Sequence, residues 1–87
     1  MFKRINVEFS KHALEQMMCR NISIVVANNI LRNPQQIVNQ GDKTIYQSVV
    51  TENRKQYLIR IFVNTKKDPN IVVTAYKTSK IDKYYEG

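Results

Sequence analysis

Gln56-Tyr57-Leu58-Ile59-Arg60-Ile61-Phe62-Val63 is the stretch that decides the fold. It is rich in β-branched and aromatic side chains, which suit a pleated, half-buried strand. Alternation puts Tyr57, Ile59, Ile61 and Val63 on one face and Leu58, Arg60 and Phe62 on the other. The first face is apolar and belongs under a covering layer. The second carries an arginine in mid-strand, where a charge needs a partner or an open cleft.

Downstream, Asn64 to Asn70, with Asp68-Pro69, is a loop, and Ile71 to Tyr76 is the last long strand. Simple alternation groups Ile71, Val73 and Ala75 against Val72, Thr74 and Tyr76. Arg60, Thr74 and Tyr76 thereby fall on mixed faces. The tail, Lys77 to Gly87, is expected to form a turn or an edge strand around Ile81 and Tyr84.

Upstream, Thr51-Glu52-Asn53-Arg54-Lys55 is a polar hairpin loop, Thr44 to Val50 a strand, Gln40-Gly41-Asp42-Lys43 a turn, and Gln35 to Asn39 a short strand. Asn33-Pro34 marks where the period changes, because proline disfavours helical geometry in the residue before it. Before it lie two helices. Ser23 caps one running from Ile24 to Leu31 or Arg32, with Ile24, Ala27, Ile30 and Leu31 as its buried stripe. Ser10 caps the other, which ends near Cys19-Arg20-Asn21, with Asn21 able to take the left-handed closing position. Leu14, Met17 and Met18 are expected to face the core. Met1 to Phe9 alternates loosely and suits a strand or extended arm. The fold class is α+β: two N-terminal helices packed on a curved, mostly antiparallel sheet of about four strands, as a single domain over residues 1–87.

Composition narrows the function. The 87 residues carry a formal charge of +7, with hydrophobic content of 43%. That hydrophobic content argues against disorder, and the charge attracts polyanions, nucleic acid before others. One cysteine excludes an internal disulfide framework and fits a reducing compartment. No apolar run approaches the roughly 20 residues that span a bilayer. The basic start, Met1 to Asn6, is followed by Glu8 and not by an apolar segment, so a cytoplasmic protein without a signal peptide is expected. One histidine and one cysteine cannot build a zinc site, and no glycine loop cradles phosphate. The seven carboxylates fall mostly in predicted loops or ends, which disfavours a two-metal nuclease. Neither a metal nor another cofactor is expected.

In the first helix His12, Gln16 and Arg20 recur every four residues and share one polar stripe. Histidine ionises near neutrality when unperturbed, at about 6.5. An imidazole and a guanidinium together suit phosphate chemistry. Plainer roles stay open: His12 as a surface residue, Arg20 as a cation complementing the helix dipole, Arg60 as a solvated arginine, Thr74 as a β-former, Tyr76 as a rim aromatic. Cys19 is expected to be a small buried apolar residue.

The run Phe9-Ser10-Lys11-His12-Ala13, with Met17-Met18, Arg20-Asn21-Ile22-Ser23, Leu31-Arg32-Asn33-Pro34 and Ile71-Val72-Val73-Thr74-Ala75-Tyr76-Lys77, resembles a group of small bacterial domains of unknown function. These are similar to the RelE-like members of the barnase/EndoU/colicin/RelE superfamily of metal-independent ribonucleases. The resemblance spans nearly the whole chain. It implies an RNase toxin scaffold, from a toxin–antitoxin pair or a delivered toxin, bound by an acidic antitoxin or immunity protein, with RNA as substrate. It maps catalytic roles onto His12, Arg20, Thr74 and Tyr76. The match is not to the ribosome-dependent toxins, which rely on several strand cations and a C-terminal tyrosine; here Arg60 and Tyr84 or Tyr85 could play those parts. In the chemistry this implies, His12 takes the proton of the RNA 2′-hydroxyl. Arg20 and Arg60 stabilise the phosphorane through forked hydrogen bonds. Lys43 and Lys77 are candidate phosphate-binding cations, and Lys55, Lys66 and Lys67 could steer the backbone. A non-catalytic RNA- or protein-binding module on the same fold is the alternative. A small regulatory protein without a nucleic-acid role is the third.

Overall fold

A computed structural model describes residues 7–85. The chain order is β1 (Val7–Phe9), α1 (Lys11–Cys19), α2 (Ile24–Arg32), β2 (Gln36–Gln40), β3 (Lys43–Glu52), β4 (Lys55–Asn64), β5 (Asn70–Thr78) and α3 (Ile81–Tyr84). The strands form one sheet in the order β1-β5-β4-β3-β2. β1 pairs with β5 in parallel, and the other pairings are antiparallel. The α+β class stands. Two details differ from expectation. The sheet has five strands and not about four, since β1, expected as a strand or extended arm, joins it as a parallel edge. The tail, expected as a turn or an edge strand, forms a short third helix. Of the expected arm from Met1, the part before Val7 lies outside the described residues.

The local signals act as their chemistry dictates. The Ser10 and Ser23 side chains accept hydrogen bonds from the amides of Ala13 and Val26, at 3.0 and 3.1 Å. Asn21 takes φ 56° just past α1. The Ile22 amide reaches back to Met17 O at 2.8 Å and the Asn21 amide to Met18 O at 3.3 Å, the paired bonds of a Schellman ending. Ile22 and Met17 are both buried, which supplies the apolar contact of that motif.

Helices α1 and α2 cover one sheet face. Ala13, Met17, Ile22, Ala27, Ile30 and Leu31 pack on Ile59, Ile61, Val63, Val72 and Ala75. Several side chains are corrected. Leu14 is 39% and Met18 82% exposed, Ile24 is also exposed, and Ala13 takes the place at the core. Cys19 is exposed. In α1 the inward stripe is narrow, with Ala13 and Met17 its buried residues.

The face assignment of β5 is corrected as well. Val72 pairs with Val63 but Thr74 with Phe62, so Val73 is an extra residue in a β-bulge. The bulge resets the parity. Val72 and Ala75 both lie under the helices, while Ile71, Thr74 and Tyr76 share the opposite face.

The β3–β4 connection is tighter than the expected five-residue loop. Glu52 pairs with Lys55, and Asn53 and Arg54 take φ 50° and 66°, as in a type I′ turn. Asparagine tolerates this conformation; arginine does so at a cost that glycine avoids. Arg54→Gly is expected to stabilise the protein by about 0.5–1 kcal/mol in urea unfolding.

Candidate functional site

Helix α1 runs alongside β5 and is tied to it at both ends. At its start the Ser10 amide donates to Val72 O at 3.0 Å, and the Ser10 hydroxyl to Val73 O at 3.5 Å. At its end Arg20 Nη1 donates to Ala75 O at 2.9 Å. These bonds occupy β5 carbonyls beyond the short β1 ladder, whose last pair is Phe9 with Val72. Of the polar stripe of α1, Arg20 reaches the β5 edge, where it docks between Thr74 and Tyr76 in sequence. Arg20 and His12 are exposed, Gln16 is half-buried, and no hydrogen bond joins the His12 side chain to a described residue.

The sheet face away from α1 and α2 carries a second cluster. Arg60 is 5% and Gln47 0% exposed. Arg60 Nε donates to Gln47 Oε1 at 2.9 Å, and Arg60 Nη1 to the Tyr76 hydroxyl at 2.6 Å. Gln47 Nε2 donates to Gln36 Oε1 at 2.8 Å and to the backbone carbonyl of Tyr84 at 3.2 Å. The Arg60 guanidinium carbon lies 4.5 Å from the Tyr84 ring centroid, 5.4 Å from that of Phe62 and 5.6 Å from that of Tyr76. Phe62 and Tyr76 stack at 5.8 Å, and Tyr84 meets Tyr76 edge-on at 6.1 Å. The arginine is thus held by neutral acceptors and ring faces. The plainer reading of a solvated arginine on an open sheet face does not hold: Arg60 is buried and α3 folds over it.

The Tyr84 phenol is held below the usual tyrosine range. The Lys83 ammonium does most of this by hydrogen bonding and charge, partial burial opposes it, and the Tyr76 hydroxyl and the Arg60 charge add to it. Because the folded value is the lower one, the linked stability is present above the unfolded pKa, near 10, and is lost as pH falls through the folded pKa. Ultraviolet titration is expected to detect an early-ionising phenol that Lys83→Gln returns toward the ordinary range.

The sequence-derived candidates separate into groups. Arg60 touches Tyr76 directly, and Arg20 docks on the backbone beside it. Thr74 is half-buried on the Tyr76 face, paired across the ladder with Phe62. Lys77 lies on the helix face, bonded to Glu52 at 2.8 Å and to Asn21 O at 3.3 Å, with its side chain 13% exposed. Lys43 sits at the β2–β3 turn beside Asp42, at 3.2 Å. Its strand position is four residues from Gln47, roughly 13 Å along β3. Neither lysine joins the Arg60 cluster.

Gln36, Gln47 and Phe62 are the members of that cluster that the sequence did not single out. A two-residue turn at Asn53-Arg54 sets Gln47 opposite Arg60, so the turn length was the signal for the pair. Among the described residues no group of three or more His, Cys, Asp or Glu side chains could hold a metal ion. No helix among them is long and apolar enough to cross a membrane.

No curated protein and no solved structure matches the chain. The family model described as a domain of unknown function, DUF4258, matches residues 9–77. That span runs from the last residue of β1 almost to the end of β5 and takes in His12, Arg20, Arg60, Thr74 and Tyr76, so the chain belongs to the DUF4258 family.

Proposed function

We propose that this protein is a metal-independent endoribonuclease related to the RelE-like toxins, acting in the cytoplasm and neutralised by an acidic antitoxin. One observation carries the reading: the Arg20 guanidinium is bonded to Ala75 O, between the two β5 residues whose hydroxyls are candidates for phosphate contact. Arg20 thus reaches the β5 edge from the helix side, while Thr74 and Tyr76 lie on the opposite sheet face.

His12 takes the 2′-hydroxyl proton of the RNA, and the freed oxygen attacks the adjacent phosphorus. The donors of Arg20 not used on Ala75 meet the added charge of the phosphorane, with the Thr74 hydroxyl on a non-bridging oxygen. The Tyr76 oxygen accepts a hydrogen bond from Arg60. In the reaction its own proton, which faces the Tyr84 phenol in the free protein, passes to the departing 5′-oxygen. The products are a 2′,3′-cyclic phosphate and a 5′-hydroxyl. DNA, without the 2′-hydroxyl, resists.

The experiment is induction in bacteria, with wild type and His12→Ala at matched levels. Growth arrest with new 5′-hydroxyl RNA fragments, lost in the variant, is expected. A non-catalytic binding module on this fold has one observation in its favour, that no described residue hydrogen-bonds the His12 side chain to orient it as a base. It predicts intact RNA from well-folded wild-type protein.

A further inference from the structure

We infer that the sheet face carrying Arg60 holds a nucleobase subsite, filled in the free protein by the ring of Tyr84. This rests on RNA being the substrate, and it assigns Arg60 a different part from phosphate binding. Phosphate meets a guanidinium at its edge, through paired N–H donors. Here two of the three nitrogens are already committed, Nε to buried Gln47 and Nη1 to Tyr76. Three N–H donors remain, on Nη1 and Nη2, and beside them the flat face of the cation and the neighbouring rings. A planar π system fits that surface, and Tyr84 occupies it now at 4.5 Å.

The occupant is held lightly. α3 is four residues long, none of them buried, and no side chain caps its start. Among the described residues its ties to the sheet are the Gln47 bond to Tyr84 O and the ring contacts of Tyr84. When α3 moves aside, Arg60, Phe62 and Tyr76 remain as a platform of one cation and two stacked rings. Single-stranded RNA is bound by such platforms through base stacking on aromatic rings and guanidinium planes. Tyr76 belongs to both the platform and the β5 strip, so a base stacked here places a neighbouring phosphate beside Arg20 and Thr74. Tyr84 lies outside the span matched by the family. The ring that fills the subsite therefore comes from outside the region that carries the family's residues.

The chain has no tryptophan, so Tyr84→Trp places a single reporter in the subsite. It is titrated with a short single-stranded RNA, 2′-O-methylated to block cleavage and end-labelled so that anisotropy reports binding independently. The expected result is a red-shifted, quencher-accessible indole at saturation, with no shift on an abasic oligomer of the same length. Saturated anisotropy with the indole unmoved overturns the subsite and leaves the proposed function standing. An equal shift with the abasic oligomer also overturns it, in favour of a phosphate. Absence of any RNA binding overturns both. Tyr84→Ala, which removes the competitor, is expected to bind the same RNA about tenfold more tightly; unchanged or weaker binding counts against the subsite.

Discussion

His12→Ala is expected to lower RNA cleavage by about 10²–10⁴-fold while leaving RNA affinity within about twofold, the signature of a lost general base. His12 is the chain's one histidine. It lies in the first turn of a helix pinned to β5 at both ends, and it is exposed without a hydrogen bond to any described residue. Its removal opens no cavity and breaks no described contact, so the fold is expected to survive. Circular dichroism and thermal unfolding check that, and single-turnover kinetics separate chemistry from binding. Equal activity of variant and wild type would exclude His12 from the reaction.

The second large effect concerns stability. Gln47→Leu removes the acceptor of Arg60 Nε and the donor that holds the Tyr84 carbonyl, both on the buried side of the sheet. A buried cation that loses a partner retains its desolvation penalty. The expected loss is about 3 kcal/mol, or roughly 12–24 °C in Tm for a domain of this size. The double change Gln47→Leu/Arg60→Met removes both members and is expected to recover most of the loss, because an apolar pair of similar volume leaves no unpaired charge. Denaturant unfolding of the four proteins closes the cycle. A single change within 0.5 kcal/mol of wild type, on the order of an ordinary surface substitution, would mean that Arg60 finds its partners elsewhere.

Much of this fold is legible in the chain because its local signals are strong. Ser10 and Ser23 both cap as serine before an apolar stripe should, Asn21 closes α1 in the left-handed region, and Asn33-Pro34 ends α2 where the period changes. The inner face of β4 is also as its alternation predicts. Legibility ends where one residue shifts the count. The Val73 bulge moves Val72 to the helix face, although period-two counting places it beside Thr74 and Tyr76. The two-residue turn at Asn53-Arg54 sets Gln47 against Arg60, and reading a five-residue loop there conceals that pair. Neither has a strong local mark: the turn lacks the usual glycine, and the bulge falls in a uniform apolar run.

The candidate site divides in the same way. The spacing of His12, Gln16 and Arg20 is visible from helical periodicity alone. The docking of Arg20 on Ala75 O is not, since it depends on how α1 lies against a strand 55 residues away in the chain. The cover over Arg60 was hidden for a related reason. A one-turn helix has almost no periodicity, and Ile81 to Tyr84 serves equally well as a short edge strand by composition.

The most direct measurement uses purified protein and a short RNA in excess EDTA, beside the same RNA with a single 2′-deoxy sugar at the cleaved position, with products identified by mass. Cleavage that persists in EDTA, leaves 2′,3′-cyclic phosphate and 5′-hydroxyl ends, and stops at the deoxy sugar is the predicted result. Cleavage abolished by EDTA, continuing through the deoxy sugar, or absent from folded protein would contradict it.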